Sequence, residues 1–213
     1  KNLVSVRCDL TITAAYTGET LAGLENLTAC ESLRIGSAAH PNETLRQLSL
    51  PALKEIKGDL CVYGTALQTA DFKSLQSVAG HFVLQSDALL QLTADELTTV
   101  AGNMTLIGTT ADEAKAPCEQ MYFPKLQRID GTLTLSRFDR LSGLGTTFGV
   151  LTQAGALRYE HLALANTFEF PLIETTGNIT VTDCPILRSV LLPALTDAGS
   201  LEITGCPAIE TLS

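Results

Sequence analysis

The sequence predicts an all-β repeat protein, a right-handed parallel β-helix or leucine-rich solenoid of about nine rungs of about 22 residues each. A five-residue pattern, Gly-x-apolar-x-apolar, recurs along the chain, and four of the six intervals between its glycines are 22 residues long. Hydrophobic residues make up 45% of the chain and aromatic residues only 5%, which favours many thin aliphatic layers over one globular centre. The pattern begins at Gly58, Gly80, Gly102, Gly131, Gly155, Gly177 and Gly199, and two earlier copies, Asp9–Ile12 and Ser32–Ile35, lack the glycine.

Each copy of the pattern predicts a short β-strand. Alternation of apolar and polar residues over five positions is typical of a strand with one buried face. Such a strand is too short to be stable alone, so the rungs must stack about 4.8 Å apart to bury their apolar residues. The prediction requires Leu60, Met104, Leu133 and Ile179 to lie in one column inside the coil.

The residues between the strands predict corners. A segment of the type Leu/Phe-Pro-x-Leu-x-x-Ile precedes several of the glycines, as in Leu50–Ile56 and Phe123–Ile129. Proline fixes φ and ends strand pairing, so it suits a corner. The glycine suits a tight corner where φ is positive or where the backbone approaches a neighbouring rung closely.

We expect one domain, residues 1–213, with an N-terminal cap over residues 1–35. Residues 36–45 and 109–122 break the rhythm and are predicted to form projecting loops. Insertions in a solenoid map to loops on one face, which is often a binding face.

The N-terminal portion resembles the receptor L-domain family, which includes ligand-binding lobes of insulin- and epidermal-growth-factor-type receptors and fungal and bacterial surface proteins. The resemblance is carried by Val6–Ile12, Leu21–Cys30 and Leu33–Ile35, followed by rungs of the Leu-Pro-x-Leu-x-x-Ile-x-Gly type over nearly the whole chain. It implies a single-stranded β-helix, a short helical turn near the N-terminus, a disulfide between Cys8 and Cys30, and an extracellular setting. The chain carries more rungs than the receptor lobes, which favours the surface or wall-protein branch over a kinase receptor.

The other four cysteines leave alternatives open. Cys184 and Cys206 occupy the same repeat position 22 residues apart, so they form either a disulfide between adjacent rungs or two thiols in one column. Cys61 points outward, and Cys118 lies on the long loop, which could fold back to form a second disulfide. No Cys-x-x-Cys spacing indicates a zinc cluster.

Four of the six asparagines open an Asn-x-Thr triplet: Asn26, Asn42, Asn103 and Asn178. This frequency favours export from the cytoplasm to the cell surface or beyond, with N-glycosylation if the organism is eukaryotic. Alternation within strands accounts for the triplets at Asn103 and Asn178 but not for those at Asn26 and Asn42.

The outward-facing strand positions give a candidate binding face and no catalytic constellation. Their side chains are small and mostly neutral, whereas a carbohydrate enzyme needs clustered carboxylates. The candidate face consists of Asp59, His81, Asn103, Thr105, Thr132, Thr134, Arg158, Asn178 and Thr180.

The sequence therefore favours a non-enzymatic surface module for adhesion or envelope structure, without a cofactor or metal. The alternative is an ectodomain lobe that binds a protein or glycan, and a β-helix carbohydrate enzyme ranks third. The net charge of −9 argues against a nucleic-acid partner. No apolar run in the chain approaches the length that spans a bilayer.

Overall fold

The computed structural model describes residues 3–108, 117–141 and 147–213, and it confirms the predicted parallel β-solenoid. All strand pairs are parallel and join equivalent positions of successive turns, as where Phe82 pairs with Met104 and Ile179 with Leu201. Nine strands follow one another in the largest sheet, so the solenoid has about nine turns.

The largest sheet, which we call the long sheet, has 13 strands. Nine of them carry the repeat pattern: β1 (Leu10–Ile12), β3 (Leu33–Ile35), β6 (Leu60–Tyr63), β9 (Phe82–Gln85), β12 (Met104–Ile107), β14 (Arg128–Ser136), β15 (Gln153–Glu160), β17 (Thr175–Thr182) and β19 (Asp197–Thr204). The other four lie at the preceding corner: β2 (Ala29–Cys30), β5 (Glu55–Ile56), β8 (Ser77–Val78) and β11 (Thr99–Val100). From β14 onward, corner and repeat segments merge into strands of eight or nine residues.

Two smaller sheets are formed by short strands, each of which follows a repeat strand of the long sheet along the chain. The four-stranded sheet contains β4 (Gln47–Ser49), β7 (Thr69–Asp71), β10 (Gln91–Thr93) and β13 (Gln120–Tyr122). The three-stranded sheet contains β16 (Thr167–Glu169), β18 (Ser189–Leu191) and β20 (Thr211–Leu212).

The core is a set of columns that run along the solenoid axis. Strand register places Leu60, Met104, Leu133 and Ile179 in one column, as predicted, and burial removes them from solvent completely. Each fully buried Leu or Ile contributes about 1.5–3 kcal/mol of hydrophobic stabilisation. Every rung therefore depends on its two neighbours for most of its stability.

The core is less purely aliphatic than its composition predicts, because all seven phenylalanines are buried. Five of them form a continuous chain of ring contacts with centroid distances of 6.2, 6.4, 5.5 and 6.0 Å: Phe72, Phe82, Phe123, Phe148 and Phe170. Aromatic contacts of this kind add about 0.5–1.5 kcal/mol each beyond the area that they bury.

The glycines of the repeat are required for close approach of neighbouring rungs rather than for positive φ. A Cβ added at Gly102 would lie 2.7 Å from the carbonyl oxygen of Gly80, and one at Gly177 would lie 2.3 Å from the carbonyl oxygen of Gly155. Among the described residues, the glycines with positive φ are at other positions, Gly23, Gly36 and Gly205. The glycine column thus brings backbone directly against backbone.

Three predicted details differ in the structure. The predicted N-terminal helical turn is two tight turns, in which Leu24 N donates to Leu21 O and Leu27 N donates to Leu24 O. Residues 36–45 do not project as a whole, because Asn42 is buried and bridges to Gly64. Of the predicted loop 109–122, residues 109–116 lie outside the described residues, and its last three residues form strand β13, since Met121 packs into the core.

Candidate functional site

The predicted binding face lies on the outside of the long sheet, and the structure brings its residues together. Strand register places Thr105, Thr134, Arg158 and Thr180 in one column. Most of these side chains are half-buried, and Arg158 is exposed. Whether this face binds a ligand stays a prediction.

Part of the predicted face has a structural role instead. His81 N donates to Asp59 Oδ1, Asn103 N to His81 Nδ1, and Thr132 N to Asn103 Oδ1, each over 2.9 Å. Each side chain therefore accepts a hydrogen bond from the backbone of the next rung. We call these three acceptors, Asp59, His81 and Asn103, the acceptor ladder. It joins successive rungs at the glycine corner, so these acceptor atoms are already used within the fold.

Ion pairs satisfy the charges on the same face. Arg34 Nη2 lies 2.9 Å from Asp59 Oδ2, and Arg158 Nε lies 2.5 Å from Glu160 Oε1. The hydrogen bond from His81 N, assisted by Arg34, lowers the pKa of Asp59. A carboxylate held in this way favours the charged form and fixes the position of the neighbouring guanidinium.

A second polar surface, which the sequence analysis did not identify, covers the outside of the four-stranded sheet. We call it the polar groove. Its floor consists of two columns of outward-facing side chains, Gln47, Thr69, Gln91 and Gln120 in one and Ser49, Asp71, Thr93 and Tyr122 in the other. Successive residues in each column are separated by the strand spacing of about 4.8 Å.

Two depressions lie along the polar groove. The larger has a volume of about 300 Å³ and is lined by Thr69, Ala70, Asp71, Lys73, Gln91, Thr93 and Asp95. The smaller has a volume of about 110 Å³ and is lined by Thr20, Leu21, Ala22, Glu25, Gln47 and Ser49. Both depressions are open to solvent, so the groove is a shallow surface and not an enclosed cavity.

Hydrogen bonds within the groove orient its polar groups. Ser49 Oγ lies 3.4 Å from Asp71 Oδ2, and Lys73 N donates to Asp71 Oδ1 over 3.1 Å. Gln91 Nε2 donates to Thr93 Oγ1 over 3.2 Å. These contacts engage each carboxylate oxygen of Asp71 once, and carboxylate, amide and hydroxyl groups have capacity for further hydrogen bonds.

The groove presents charges of both signs. Asp71, Asp95 and Lys73 line the larger depression, with Asp71 and Lys73 on one rung and Asp95 on the next. Among the described residues, no carboxylate lies within 4 Å of Lys73 Nζ, whereas Lys125 nearby is paired with Glu96 at 2.7 Å. The Lys73 ammonium group is therefore free to contact a ligand.

A sequence signal for the groove exists but is weak. The segments Gln47–Ser49, Thr69–Asp71, Gln91–Thr93 and Gln120–Tyr122 share the pattern polar-apolar-polar. Three residues are too few for periodicity to identify a strand, and the separations of 22, 22 and 29 residues reveal the columns only once the register is known.

One of the four predicted glycosylation sites, Asn42, is buried in the structure, which argues against a glycan there. The Asn42 side chain is fully buried, where Nδ2 donates to Tyr16 O over 2.8 Å and Oδ1 accepts from Leu45 N over 2.7 Å. A folded chain has no space for a glycan at this atom. Asn26, Asn103 and Asn178 are exposed, so glycosylation there stays a prediction.

All six cysteines are thiols in the structure, and the Cys8–Cys30 disulfide that the resemblance implies, like the alternatives left open for the other four cysteines, stays a prediction. Cys30 points into the core while Cys8 is exposed, and Cys118 is buried while Cys61 is half-buried on the outer face. Burial raises the pKa of Cys30 to about 11 and that of Cys118 to about 12. Cys184 and Cys206 follow the paired residues Thr182 and Thr204 and so lie in one column, as both alternatives for them require.

Comparisons with protein-family models, with curated proteins and with solved structures found no match. Within residues 3–108, 117–141 and 147–213, no group of three or more His, Cys, Asp or Glu side chains is placed to hold a metal ion. No helix in these ranges is long and apolar enough to cross a membrane. The class that the structure itself defines is a parallel β-solenoid with an open polar groove.

Proposed function

We propose that this protein is a non-enzymatic adhesion module of the cell surface or extracellular space that binds extended glycans through the polar groove. The observation that supports the proposal is the repeated set of amide, hydroxyl, carboxylate and ammonium groups on the four-stranded sheet. The resemblance to surface proteins of the receptor L-domain family points in the same direction.

The chemistry of the groove matches that of sugars. A sugar hydroxyl both donates and accepts hydrogen bonds, and it is best bound by a mixture of acceptors and donors. Asp71 and Asp95 are acceptors, Lys73 is a donor, and Gln91 and Thr93 are both. An open surface also suits a polymer that lies across it, since sites for small molecules usually bury 70–90% or more of the ligand.

The repeat geometry favours a linear ligand. A chain that runs across the strands would meet two polar side chains at every rung, with rungs about 4.8 Å apart. Tyr122 ends one column and is 42% exposed, and its ring offers an apolar face against which a sugar ring can pack. Many weak, equal contacts of this kind give adhesion by multivalency.

Charge narrows the ligand class further. The protein has a net charge of −9, and Glu25, Asp71 and Asp95 add negative charge at the groove itself. Polymers rich in uronic acid or sulfate would be repelled. We therefore expect neutral polysaccharides or polymers of amino sugars to bind.

A binding panel tests the proposal. Immobilised neutral, amino-sugar and uronic-acid polysaccharides are incubated with wild-type protein, with Asp71→Ala and Gln91→Ala, and with the control Thr134→Ala on the long sheet. We expect binding to neutral or amino-sugar polymers that falls at least about tenfold in each groove variant, or about 1.4 kcal/mol. The control should bind like the wild type.

Two results would contradict the proposal. Binding that is lost in Thr134→Ala but kept in the groove variants would place the site on the long sheet. Release of new reducing ends from a bound polysaccharide would show an enzyme, a role for which Asp71 and Asp95 on adjacent rungs would supply the carboxylate pair.

A second candidate is recognition of a protein. Leu164 and Ile186 occupy equivalent turns ahead of the paired strands β16 and β18, and they are 51% and 41% exposed. Adjacent exposed aliphatic residues are typical of a protein contact. An ectodomain binding screen in which Leu164→Ser abolishes a signal, while Asp71→Ala does not, would favour this function.

A further inference from the structure

Two cysteines occupy the same corner on the last two rungs. Cys184 and Cys206 each come two residues after the end of a long-sheet strand, β17 and β19 respectively. These strands pair in register to their last residues, Thr182 and Thr204, so the cysteines are successive members of one column. Neighbouring strands lie about 4.8 Å apart, which is within the Cα separation of 4.4–6.8 Å found in disulfides.

The two thiols have the same orientation. Cys184 Sγ lies 3.5 Å from Thr182 O, and Cys206 Sγ lies 3.3 Å from Thr204 O, which is the equivalent contact one rung later. Cys206 Sγ is also 4.0 Å from Val181 O on the rung of its neighbour. The Cys206 side chain therefore contacts the rung that carries Cys184.

The pair is asymmetric in its access to solvent. Cys184 is only 1% exposed, whereas Cys206 is half-buried. Burial, with a smaller contribution from the neighbouring Cys206, raises the pKa of Cys184 to about 11. A reagent in solution can thus reach Cys206 first, and Cys184 can react only with a sulfur that is already next to it.

The geometry points to a redox-active pair in which Cys184 and Cys206 close an inter-rung disulfide by exchange with a low-molecular-weight disulfide. Cys206 thiolate attacks the disulfide, forms a mixed disulfide and releases one thiolate. Cys184, which loses its proton to solvent, then attacks Cys206 Sγ and releases the second thiol. In balance, two protein thiols become one disulfide, and one small disulfide becomes two small thiols.

This bond would fasten the last described rung to the one before it. Among the strands that the structure describes, β19 pairs with β17 alone, and Leu201 and Leu212 on this rung are 47% and 57% exposed. In an oxidising compartment the disulfide would hold the rung in place, and in a reducing compartment the thiols would persist. The state of the pair would therefore report the redox environment of the protein.

Trypsin separates the two cysteines and makes the test direct. Cleavage after Arg158 and Arg188 yields residues 159–188, which contain Cys184, and residues 189–213, which contain Cys206. The folded protein is equilibrated with oxidised glutathione, blocked with N-ethylmaleimide, denatured and digested without reduction. We expect a linked pair of these two peptides that loses two hydrogens relative to the free peptides and separates on reduction.

Variants test the order of the two steps. Cys184→Ser should accumulate glutathione on Cys206, because no second thiol resolves the mixed disulfide. Cys206→Ser should leave Cys184 unmodified, and the control Cys61→Ser should form the linked peptides like the wild type. In the oxidised wild type, amide exchange across β19 should slow at least severalfold relative to the reduced protein.

Three results would overturn the inference. One is wild-type protein in which both thiols remain reduced while the exposed Cys8 becomes glutathionylated. Another is glutathione on Cys184 in the Cys206→Ser variant, since this would show that Cys184 is directly accessible. The third is a disulfide of Cys206 with any cysteine other than Cys184.

Discussion

The glycine column gives the sharpest test of how the rungs are held together. In Gly102→Ala the new Cβ would lie 2.7 Å from both Gly80 O and His81 Nδ1, about 0.7 Å inside the 3.4 Å at which ordinary contact begins. Relief requires the rungs to separate, which strains the 2.9 Å hydrogen bond from Gly102 N to Gly80 O. Overpacking of this kind costs about 1–3 kcal/mol, and a weakened hydrogen bond adds about 1 kcal/mol.

Alanine also stiffens the unfolded chain, which offsets about 0.4–1 kcal/mol of the loss. We therefore expect Gly102→Ala to lower the free energy of unfolding by about 2–3 kcal/mol. Urea denaturation followed by circular dichroism measures this, and with a slope of about 1–3 kcal/mol/M the midpoint should fall by about 0.7–3 M.

The matched control is Gly64→Ala. There the nearest atom to the new Cβ is Leu67 Cβ at 3.3 Å, and φ is not positive. We expect a change of less than about 1 kcal/mol, because a small movement of one side chain accommodates the methyl group. A Gly102→Ala protein that is as stable as the wild type would refute the claim that the glycines serve backbone contact between rungs.

Three further predictions concern buried and ladder residues. Asn42→Ala should lower the free energy of unfolding by about 2–4 kcal/mol in urea denaturation, because each buried partner that loses its hydrogen bond costs about 1–3 kcal/mol. Peptide mapping of the wild-type protein after expression in a eukaryotic secretory host should find Asn42 unglycosylated. A glycan on Asn42 would refute its burial. His81→Ala should lower the free energy of unfolding by about 1 kcal/mol, whereas His81→Asn should keep it unchanged because asparagine restores an acceptor of the type found at Asn103. Equal losses in the two variants would refute the stabilising role of the acceptor ladder. The pKa of Asp59 is lowered in the folded state, so its stabilising contribution is complete above about pH 4 and is lost as pH falls below that value. In Asp59→Asn, the loss of stability between pH 5 and pH 2 should therefore be smaller than in the wild type.

The sequence predicts the solenoid because its main signals are local. Each glycine and the alternating residues after it specify one strand, and equal spacing then implies that strands such as β9 and β12 stack in register. The inward column that contains Leu60 and Met104 follows from the same alternation. Residues that face the core are therefore predictable without any knowledge of the corners.

The polar groove and the burial of Asn42 depend on contacts between residues that are far apart in the sequence. Asp71 and Gln91 become neighbours only when β7 pairs with β10, and the three-residue pattern of each strand is too short to reveal this. The Asn-x-Thr triplet at Asn42 predicts an exposed side chain. Its hydrogen-bond partners, Tyr16 and Leu45, are instead determined by the path of the chain around the first rungs. The helical turn was predicted by family resemblance, and the residues themselves form separate tight turns.

The phenylalanine chain has a spectroscopic consequence. The protein contains no tryptophan, and of its four tyrosines only Tyr159 is fully buried, with its ring 4.5 Å from Phe168 and 5.9 Å from Phe170. A ring held rigidly among other rings dominates near-ultraviolet circular dichroism. That signal will therefore follow the packing of the rungs around Tyr159, while far-ultraviolet dichroism follows the whole solenoid, and any separation of the two melting curves will show which end of the rod opens first.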